Sequence, residues 1–182
     1  MTGMKPILPR NRLFFCVLIL GVMVAALSCW SVHALLIEKM PEARPVYVAR
    51  VRPGDGLSMG YLHSVEHCRI WDFLRIDPNG GMVVVATEFA ESRTGLPYAA
   101  FAGEVFQRRG DGFRISNMHR PVPEIWQWVN AEYENTLKIN DGREIRLAAL
   151  AGDTLLHIRI AELNALEWAW TNLNILKLHR SF

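Results

Sequence analysis

The chain has 182 residues, of which 51% are hydrophobic, and a formal net charge of +2. This length accommodates one core domain with an appendage, but not two full domains. Three of the 20 basic residues, Lys5, Arg10 and Arg12, are the only charged residues before Glu38, which leaves 17 basic and 18 acidic residues in the remainder. That remainder is nearly neutral. It lacks the excess of positive charge that nucleic-acid binding requires, so no nucleic-acid partner is expected.

The first predicted element is an apolar segment over residues 13–37, which follows the basic residues 1–12. As a helix, it would extend about 37 Å, enough to cross a hydrocarbon core of about 30 Å. Basic residues before the segment indicate that residues 1–12 lie in the cytoplasm. We therefore predict a cytoplasmic N-terminus at 1–12 and a single transmembrane anchor at 13–37, with the main domain outside the cytoplasm.

Two other fates of this segment stay open. Ala25-Ala26-Leu27-Ser28 could serve as a cleavage site for a signal peptide, and Cys29 as a site of lipidation. The apolar run continues past Cys29 to Ile37, which favours an uncleaved anchor.

A linker at 38–45, containing Pro41 and Pro45, precedes a change to period-two alternation. Runs of this kind are separated by turn residues such as Gly, Pro, Asn and Asp. The predicted strands are 46–52, 57–66, 69–76, 82–88, 101–108, 113–118, 125–129, 133–139, 144–149 and 155–161. About ten short strands at this spacing predict an all-β domain over 46–161, built as an antiparallel β-sandwich or a partly open barrel.

Residues 162–182 are predicted to form a C-terminal amphipathic helix. Leu163, Leu166, Trp170 and Leu173 recur at helical spacing. One interpretation is that this stripe covers a sheet or a barrel end. The other is that the helix lies on a membrane or against a membrane partner.

Metal binding is not predicted. The string His63-Ser64-Val65-Glu66-His67 matches H-x-x-E-H, which binds zinc when a helix places both histidines on one face. The flanking residues favour a strand, in which the two imidazoles would lie about 13 Å apart. Cys16, Cys29 and Cys68 offer no CxxC or Cys/His zinc spacing and no disulfide framework, and no cofactor is predicted.

A complete catalytic set is also missing from the motifs. Adjacent residues of a strand point to opposite faces, so Ser64 cannot meet His63 as a nucleophile–base pair. His63 shares a face with Tyr61, which is typical of a core histidine. Trp126 and Trp128 alternate onto one face, where core packing is expected, although exposure would mark them as a docking patch.

Several motifs together resemble a bacterial family, the domain of unknown function 1850 family, over about residues 46–160. They are Tyr61-Leu62-His63-Ser64-Val65-Glu66, Gly95-Leu96-Pro97, Gly103-Glu104, Asn117-Met118-His119-Arg120-Pro121 and Asn135-Thr136-Leu137. The chain departs from the family pattern at Arg69-Ile70 and at residues 90–94, which affects the detail of both loops.

Members of that family commonly accompany TAXI-type TRAP transporters, which import organic acids. The resemblance implies a non-enzymatic accessory protein of the bacterial inner membrane, with its main domain periplasmic or extracellular. Its expected partners are the membrane and either the TRAP permease or the solute-binding protein. The signature or partner-binding residues are predicted to be Tyr61, His63, Ser64, Glu66, Gly95, Pro97, Asn117 and Arg120.

Two alternative functions stay open at this point. One is a cell-envelope hydrolase that uses His63, Ser64 and Glu66 with other residues brought in by the fold. The other is an independent module that binds a small ligand.

Overall fold

A computed structural model describes residues 10–63, 68–90, 101 and 103–179. Within them, the helices are α1 (Arg10–Cys29), α2 (Leu147–Ala151) and α3 (Ala165–His179). The strands are β1 (Ser31–Lys39), β2 (Arg44–Arg50), β3 (Gly56–Leu62), β4 (Arg69–Ile76), β5 (Met82–Phe89), β6 (Val105–Arg109), β7 (Gly112–Ser116), β8 (Arg120–Val122), β9 (Glu124–Val129), β10 (Thr136–Ile139), β11 (Ile145–Arg146) and β12 (Thr154–Asn164).

The strands form two antiparallel sheets. One has the order β2-β1-β12-β9, and the other has the order β11-β10-β3-β4-β5-β7-β6, with β8 paired to β5. The larger of two core clusters contains buried residues from both sheets, including Leu35, Ile37, Leu57, Leu74 and Leu156. The predicted all-β, antiparallel fold is confirmed, and it is a sandwich of two sheets with a short C-terminal helix.

Residues 31–39 correct the predicted extent of the N-terminal helix. They form β1, which lies between β2 and β12 and pairs with β12 from Ser31 opposite Asn164 to Lys39 opposite Leu156. The helix predicted over 13–37 is therefore wrong for residues 31–37. Within β1, residues 34–37 are buried on both faces of the strand, so this apolar stretch lacks the alternation that marks a half-exposed strand.

The predicted linker at 38–45 is the end of β1, a turn and the start of β2. The sandwich accordingly extends from β1 to β12, wider than the predicted 46–161. Two further predictions are wrong in detail. Residues 147–149 belong to α2 instead of a strand, and β3 ends at Leu62, so His63 follows the strand instead of lying within it.

The helix α1 has apolar side chains that are exposed around its whole circumference. They include Phe14, Phe15, Leu18, Ile19, Leu20 and Met23. Among the residues that the structure describes, no helix is both long enough and apolar enough to cross a membrane.

The helix α3 contacts β2 and β12 and therefore covers part of the four-stranded sheet. The face that packs is not the predicted one. Ile175 is buried, whereas Leu166, Trp170 and Leu173 of the predicted stripe are exposed. Helix α3 also contacts α1, so the first and last helices of the chain meet.

Candidate functional site

The signature motif that begins at Tyr61 starts on β3, directly after Gly60. The packing around β3 requires a glycine at that position. A Cβ atom at Gly60 would lie 2.7 Å from Thr136 Oγ1 and 2.8 Å from the Trp71 ring. Distances this short are steric clashes, so residue 60 must lack a side chain. The glycine allows β4 and β10, which flank β3, to bring Trp71 and Thr136 against the strand.

Tyr61 is engaged inside the sandwich. Its hydroxyl donates a hydrogen bond to Asp72 Oδ2 at 3.2 Å. Both residues line a cavity of about 210 Å³ between the sheets, together with Gln127 of β9; we call it the Tyr61 cavity. Burial raises the pKa of the Tyr61 hydroxyl well above its usual range, and the negative charge of Asp72 adds to this effect.

The pKa of Asp72 is also raised, and burial is the main cause. Hydrogen bonds from the Thr87 and Tyr61 hydroxyls act in the opposite direction, because they stabilise the carboxylate. Thr87 lies opposite Asp72 in the β4–β5 pairing. Asp72 is thus a half-buried acid with two hydroxyl donors, and Tyr61 is one of them.

His63 lies just beyond β3 and is bonded to a residue just before β4. Its backbone N–H donates a hydrogen bond to the carbonyl of Cys68 at 2.9 Å. His63 lines a cleft of about 270 Å³, together with residues that include Tyr61, Trp128 and Tyr133. We call it the His63 cleft. Two predicted site residues, Ser64 and Glu66, lie outside the described residues, as does the second histidine of the H-x-x-E-H string.

Arg69 sits at the start of β4 and is held on three sides. Its Nη1 donates to Glu134 Oε2 at 2.7 Å and its Nη2 to Thr136 Oγ1 at 3.0 Å. The guanidinium carbon also lies 5.0 Å from the centre of the Trp71 ring, within the range of a cation–π contact. Arg69 therefore ties β4 to β10 and to the residue two positions before it.

Asn135 was predicted only as part of a signature motif, and the structure gives it a further property. Asn135 is 3% exposed, and its side-chain Oδ1 has no hydrogen-bond partner among the described residues. It lines the His63 cleft and also a larger cleft of about 420 Å³, which we call the Asn135 cleft. Arg69, Glu134, Glu144, Arg146 and Asp153 are among the other residues of that cleft.

Asn117 and Arg120 belong to a second cluster, which joins two loops. Asn117 adopts φ of 58° and donates from Nδ2 to the carbonyl of Gly103. Arg120 donates from Nη2 to both carboxylate oxygens of Glu104, at 2.7 and 3.0 Å, and its guanidinium lies over the Phe101 ring. These contacts account for the two residues structurally.

The same cluster sets the ionisation of Glu104. Desolvation raises the pKa of this carboxyl, but the hydrogen bonds from Arg120 and the Phe101 backbone, with the charge of Arg120, outweigh it and hold the pKa below its usual range. The remaining predicted site residues, Gly95 and Pro97, lie outside the described residues.

The outer face of β9 carries two exposed tryptophans. Trp126 is 50% exposed and Trp128 is 57% exposed, so the expectation that they pack in the core is wrong. They alternate outward because Val129 and the partly buried Ile125 face the core. The Trp126 ring stacks on His157 with 4.2 Å between ring centres, and its Nε1 donates to Glu124 Oε1 at 3.0 Å.

A charged network surrounds this pair. His157 Nε2 lies 2.8 Å from Glu124 Oε2 and its Nδ1 lies 3.4 Å from Glu38 Oε2. Arg159 donates from Nε to the same Glu38 oxygen at 3.0 Å. The Trp126 ring is therefore held in place by His157 and Glu124, which also contact each other.

In the part of the chain that the structure describes, no group of three or more His, Cys, Asp or Glu residues could hold a metal ion. The described signature residues fall into two groups. Tyr61, His63 and Asn135 surround clefts that share lining residues, and Asn117 and Arg120 belong to the loop cluster.

Comparison with known proteins returns one family. No curated protein and no solved structure matches the chain. Residues 57–147, which are half of the chain and contain all the signature motifs, match the family described as domain of unknown function (DUF1850). The chain belongs to this family.

Proposed function

We propose that this chain is a non-catalytic accessory component of a TAXI-type TRAP organic-acid transport system. It is attached to the bacterial inner membrane through the apolar surface of α1, and its sandwich lies on the periplasmic or extracellular side. The sandwich binds the TRAP permease or the solute-binding protein through the outer face of β9. The observation that carries this proposal is the pair of exposed tryptophans on that face.

Trp126 and Trp128 have the character of binding anchors. Tryptophan is enriched at the energetic centres of protein interfaces, because one side chain buries a large apolar area with little loss of conformational freedom. Trp126 is already fixed by His157 and Glu124, so docking would not have to order it. The polar groups of Glu38, His157 and Arg159 beside it supply the polar rim that such interfaces commonly have.

Attachment to the membrane is supported by the surface of α1 and α3. The exposed apolar side chains of α1 are not packed in the sandwich core. Water is a poor solvent for so large an apolar surface. Trp30 at the end of α1 and Trp170 on the adjacent α3 are both 65% exposed. Exposed tryptophans at the end of an apolar helix are typical of the membrane–water interface.

The test is co-purification of the full chain, carrying a tag, from gently solubilised membranes. The double variant W126A/W128A is compared with V105A, which removes an exposed apolar side chain on β6, in the other sheet. We expect the permease or the solute-binding protein to be recovered with the unaltered chain and with V105A, and recovery to fall at least tenfold with the double variant. Equal recovery with all three, or recovery of neither transport protein, would contradict the proposal.

Topology is tested separately. A reporter enzyme that is active only outside the cytoplasm is fused after Phe182, and membranes are extracted at alkaline pH. Activity of the reporter and retention of the protein in the membrane fraction are expected. An inactive reporter would place the sandwich in the cytoplasm and would exclude an extracytoplasmic partner.

A further inference from the structure

Strand β9 forms one edge of the four-stranded sheet. It pairs with β12 on one side, and no other strand of the described chain pairs with its second side. Apart from a hydrogen bond from Gln127 Nε2 to the Trp128 carbonyl at 3.2 Å, its backbone bonds to no described residue outside the β12 pairing. The backbone N–H and C=O groups that point away from β12 are therefore available to another strand.

The composition of β9 favours such pairing, in contrast to the other edge strands. Edges in soluble proteins are commonly protected by charged residues, by proline or by a covering helix, because a bare edge attracts a further strand. Strand β2 contains Pro45, has an arginine at each end and is contacted by α3, and β6 ends in Arg108 and Arg109. Strand β11 has only two residues. In β9 the single charged residue is Glu124, at its start.

The core side of this edge is open. Gln127 lines both the His63 cleft and the Tyr61 cavity. Ile125 and Gln127 are accordingly only partly buried, although they alternate with the outward-facing tryptophans, whereas Val129 is fully buried. A strand added beside β9 would therefore cover surface on both faces of the sheet.

The sequence of β9 is symmetric about Gln127. In both directions from this residue comes first a tryptophan and then a β-branched aliphatic residue. Two copies that pair antiparallel about a two-fold axis through residue 127 thus oppose residues of the same kind. The opposed pairs are Gln127 with Gln127, Trp126 with Trp128, and Ile125 with Val129. Glu124 is then opposite the uncharged Asn130, so the register opposes no like charges.

We propose that two copies of the chain pair through β9, centred on Gln127, into a continuous sheet with four strands from each copy. Trp126 and Trp128 face outward in both copies, so the pairing joins their tryptophans into one surface. The docking surface proposed above then contains residues of both copies. The pairing goes beyond that proposal, because it does not depend on which transport protein binds.

Sedimentation of the purified full chain in density-matched detergent micelles measures the oligomeric state. The unaltered chain is expected to be a dimer at micromolar concentration. Q127K and Q127E each set two like charges against each other on the two-fold axis, so the dissociation constant should rise at least about tenfold. Q127T is the control, because threonine is uncharged and is favoured in strands.

Mixing the two charged variants tests the axis directly. A mixture of Q127K and Q127E sets opposite charges against each other, and it should dimerise about as well as the unaltered chain. Such a rescue also excludes misfolding as the cause of dissociation, because mixing does not restore a variant that fails to fold.

A disulfide cross-link tests the register. The Cα atoms of opposed residues in an antiparallel pair lie about 4.5–5.5 Å apart, which a disulfide spans. In a C16S/C29S background, which removes the exposed cysteines, Q127C should link the two copies on air oxidation. E124C is the matched control on the same strand, because residue 124 would lie about 20 Å from its counterpart.

A monomeric unaltered chain would overturn the proposal. A dimer that both Q127K and Q127E leave intact would also overturn it, as would equal cross-linking of Q127C and E124C, because each result places the contact elsewhere on the chain. These measurements use the purified chain alone, whereas the proposed function is tested by recovery of a transport protein. Failure of the pairing and failure of the proposed function are therefore distinguishable.

Discussion

Tyr61 and Asp72 are joined across β3 and β4 by a hydrogen bond of 3.2 Å between the phenol hydroxyl and Oδ2. The bond lies in a cavity between the two sheets, where burial raises the pKa of both groups. The first of the signature motifs therefore begins with a residue that is hydrogen-bonded inside the sandwich, next to the clefts lined by His63 and Asn135.

Replacing Tyr61 with phenylalanine is expected to destabilise the fold by about 1–3 kcal/mol. The change removes only the hydroxyl, and Asp72 then loses a donor in a half-buried position. Tyr133→Phe is the matched control, because the Tyr133 side chain lines the same cleft as Tyr61 but its hydroxyl has no hydrogen bond to a described residue. The free energy of unfolding in urea measures both. Equal effects of the two changes would mean that the Tyr61–Asp72 bond contributes nothing.

Asp72 is expected to make the fold less stable as the pH rises. Because its pKa is raised in the folded state, the native protein binds the proton more tightly than the unfolded chain does. Its contribution is fully present below the unfolded pKa of about 3.9, and it is lost as the pH rises through the raised pKa. In D72N this dependence should disappear.

The measurement is the difference in unfolding free energy between D72N and the unaltered chain, taken from pH 3.5 to 8. That difference should shift in favour of D72N as the pH rises. A difference that is independent of pH would show that the pKa of Asp72 is the same in both states.

Glu104 is expected to have the opposite sign. The hydrogen bonds and charge of Arg120, with the Phe101 N–H, lower the pKa of this carboxyl despite the opposing effect of desolvation. Its contribution is present above the unfolded pKa of about 4.3 and is lost as the pH falls through the lowered pKa. In E104Q the fold should therefore lose less stability on acidification than the unaltered chain. Urea unfolding between pH 2.5 and 6 measures this, and parallel acid limbs for the two proteins would contradict it.

Period-two alternation and turn residues were sufficient to predict most of the sandwich. The strands from β2 to β12 with one exposed or partly exposed face were found within a few residues, because alternation directly reports a half-buried strand. β1 was missed because both of its faces are buried, and its sequence then continues the apolar run of α1 without interruption. The short β8, with three residues, carries too little pattern to be recognised.

The candidate site could be predicted only in part. The signature motifs do place Tyr61, His63 and Asn135 around adjoining clefts. However, the property that distinguishes Asn135 is an unpaired buried oxygen, which depends on the tertiary surroundings of the side chain and not on its neighbours in sequence. For α3, the sequence left open whether the apolar stripe packs on a sheet or stays exposed, and in the structure Leu166, Trp170 and Leu173 are exposed. A regular apolar stripe predicts that a helix has an apolar face, but not which surface meets it.

Gly60→Ala is expected to destabilise the fold by about 1–3 kcal/mol, because the added methyl group meets Thr136 and Trp71 at clashing distance. Gly56→Ala on the same strand provides the control, since a Cβ there would lie 3.7 Å from its nearest neighbour, Asn140 Oδ1, an ordinary contact. The urea midpoint should fall clearly for G60A and change little for G56A. If both variants lose the same stability, then the packing of β3 against its neighbours is looser than the structure indicates.

Ile37→Ala distinguishes a buried strand from a membrane helix at the end of the apolar run. Ile37 is fully buried in the sandwich core, so removing its side chain is expected to destabilise the domain by about 2–5 kcal/mol. Leu20→Ala is the control, because Leu20 belongs to the same apolar run but projects from α1 with a 55% exposed side chain. Its effect on the unfolding of the domain should stay within about 0.5 kcal/mol. If residue 37 were instead part of a helix that extends away from the domain, the two substitutions would have equally small effects. That result would contradict the assignment of residues 31–39 to a strand of the sheet.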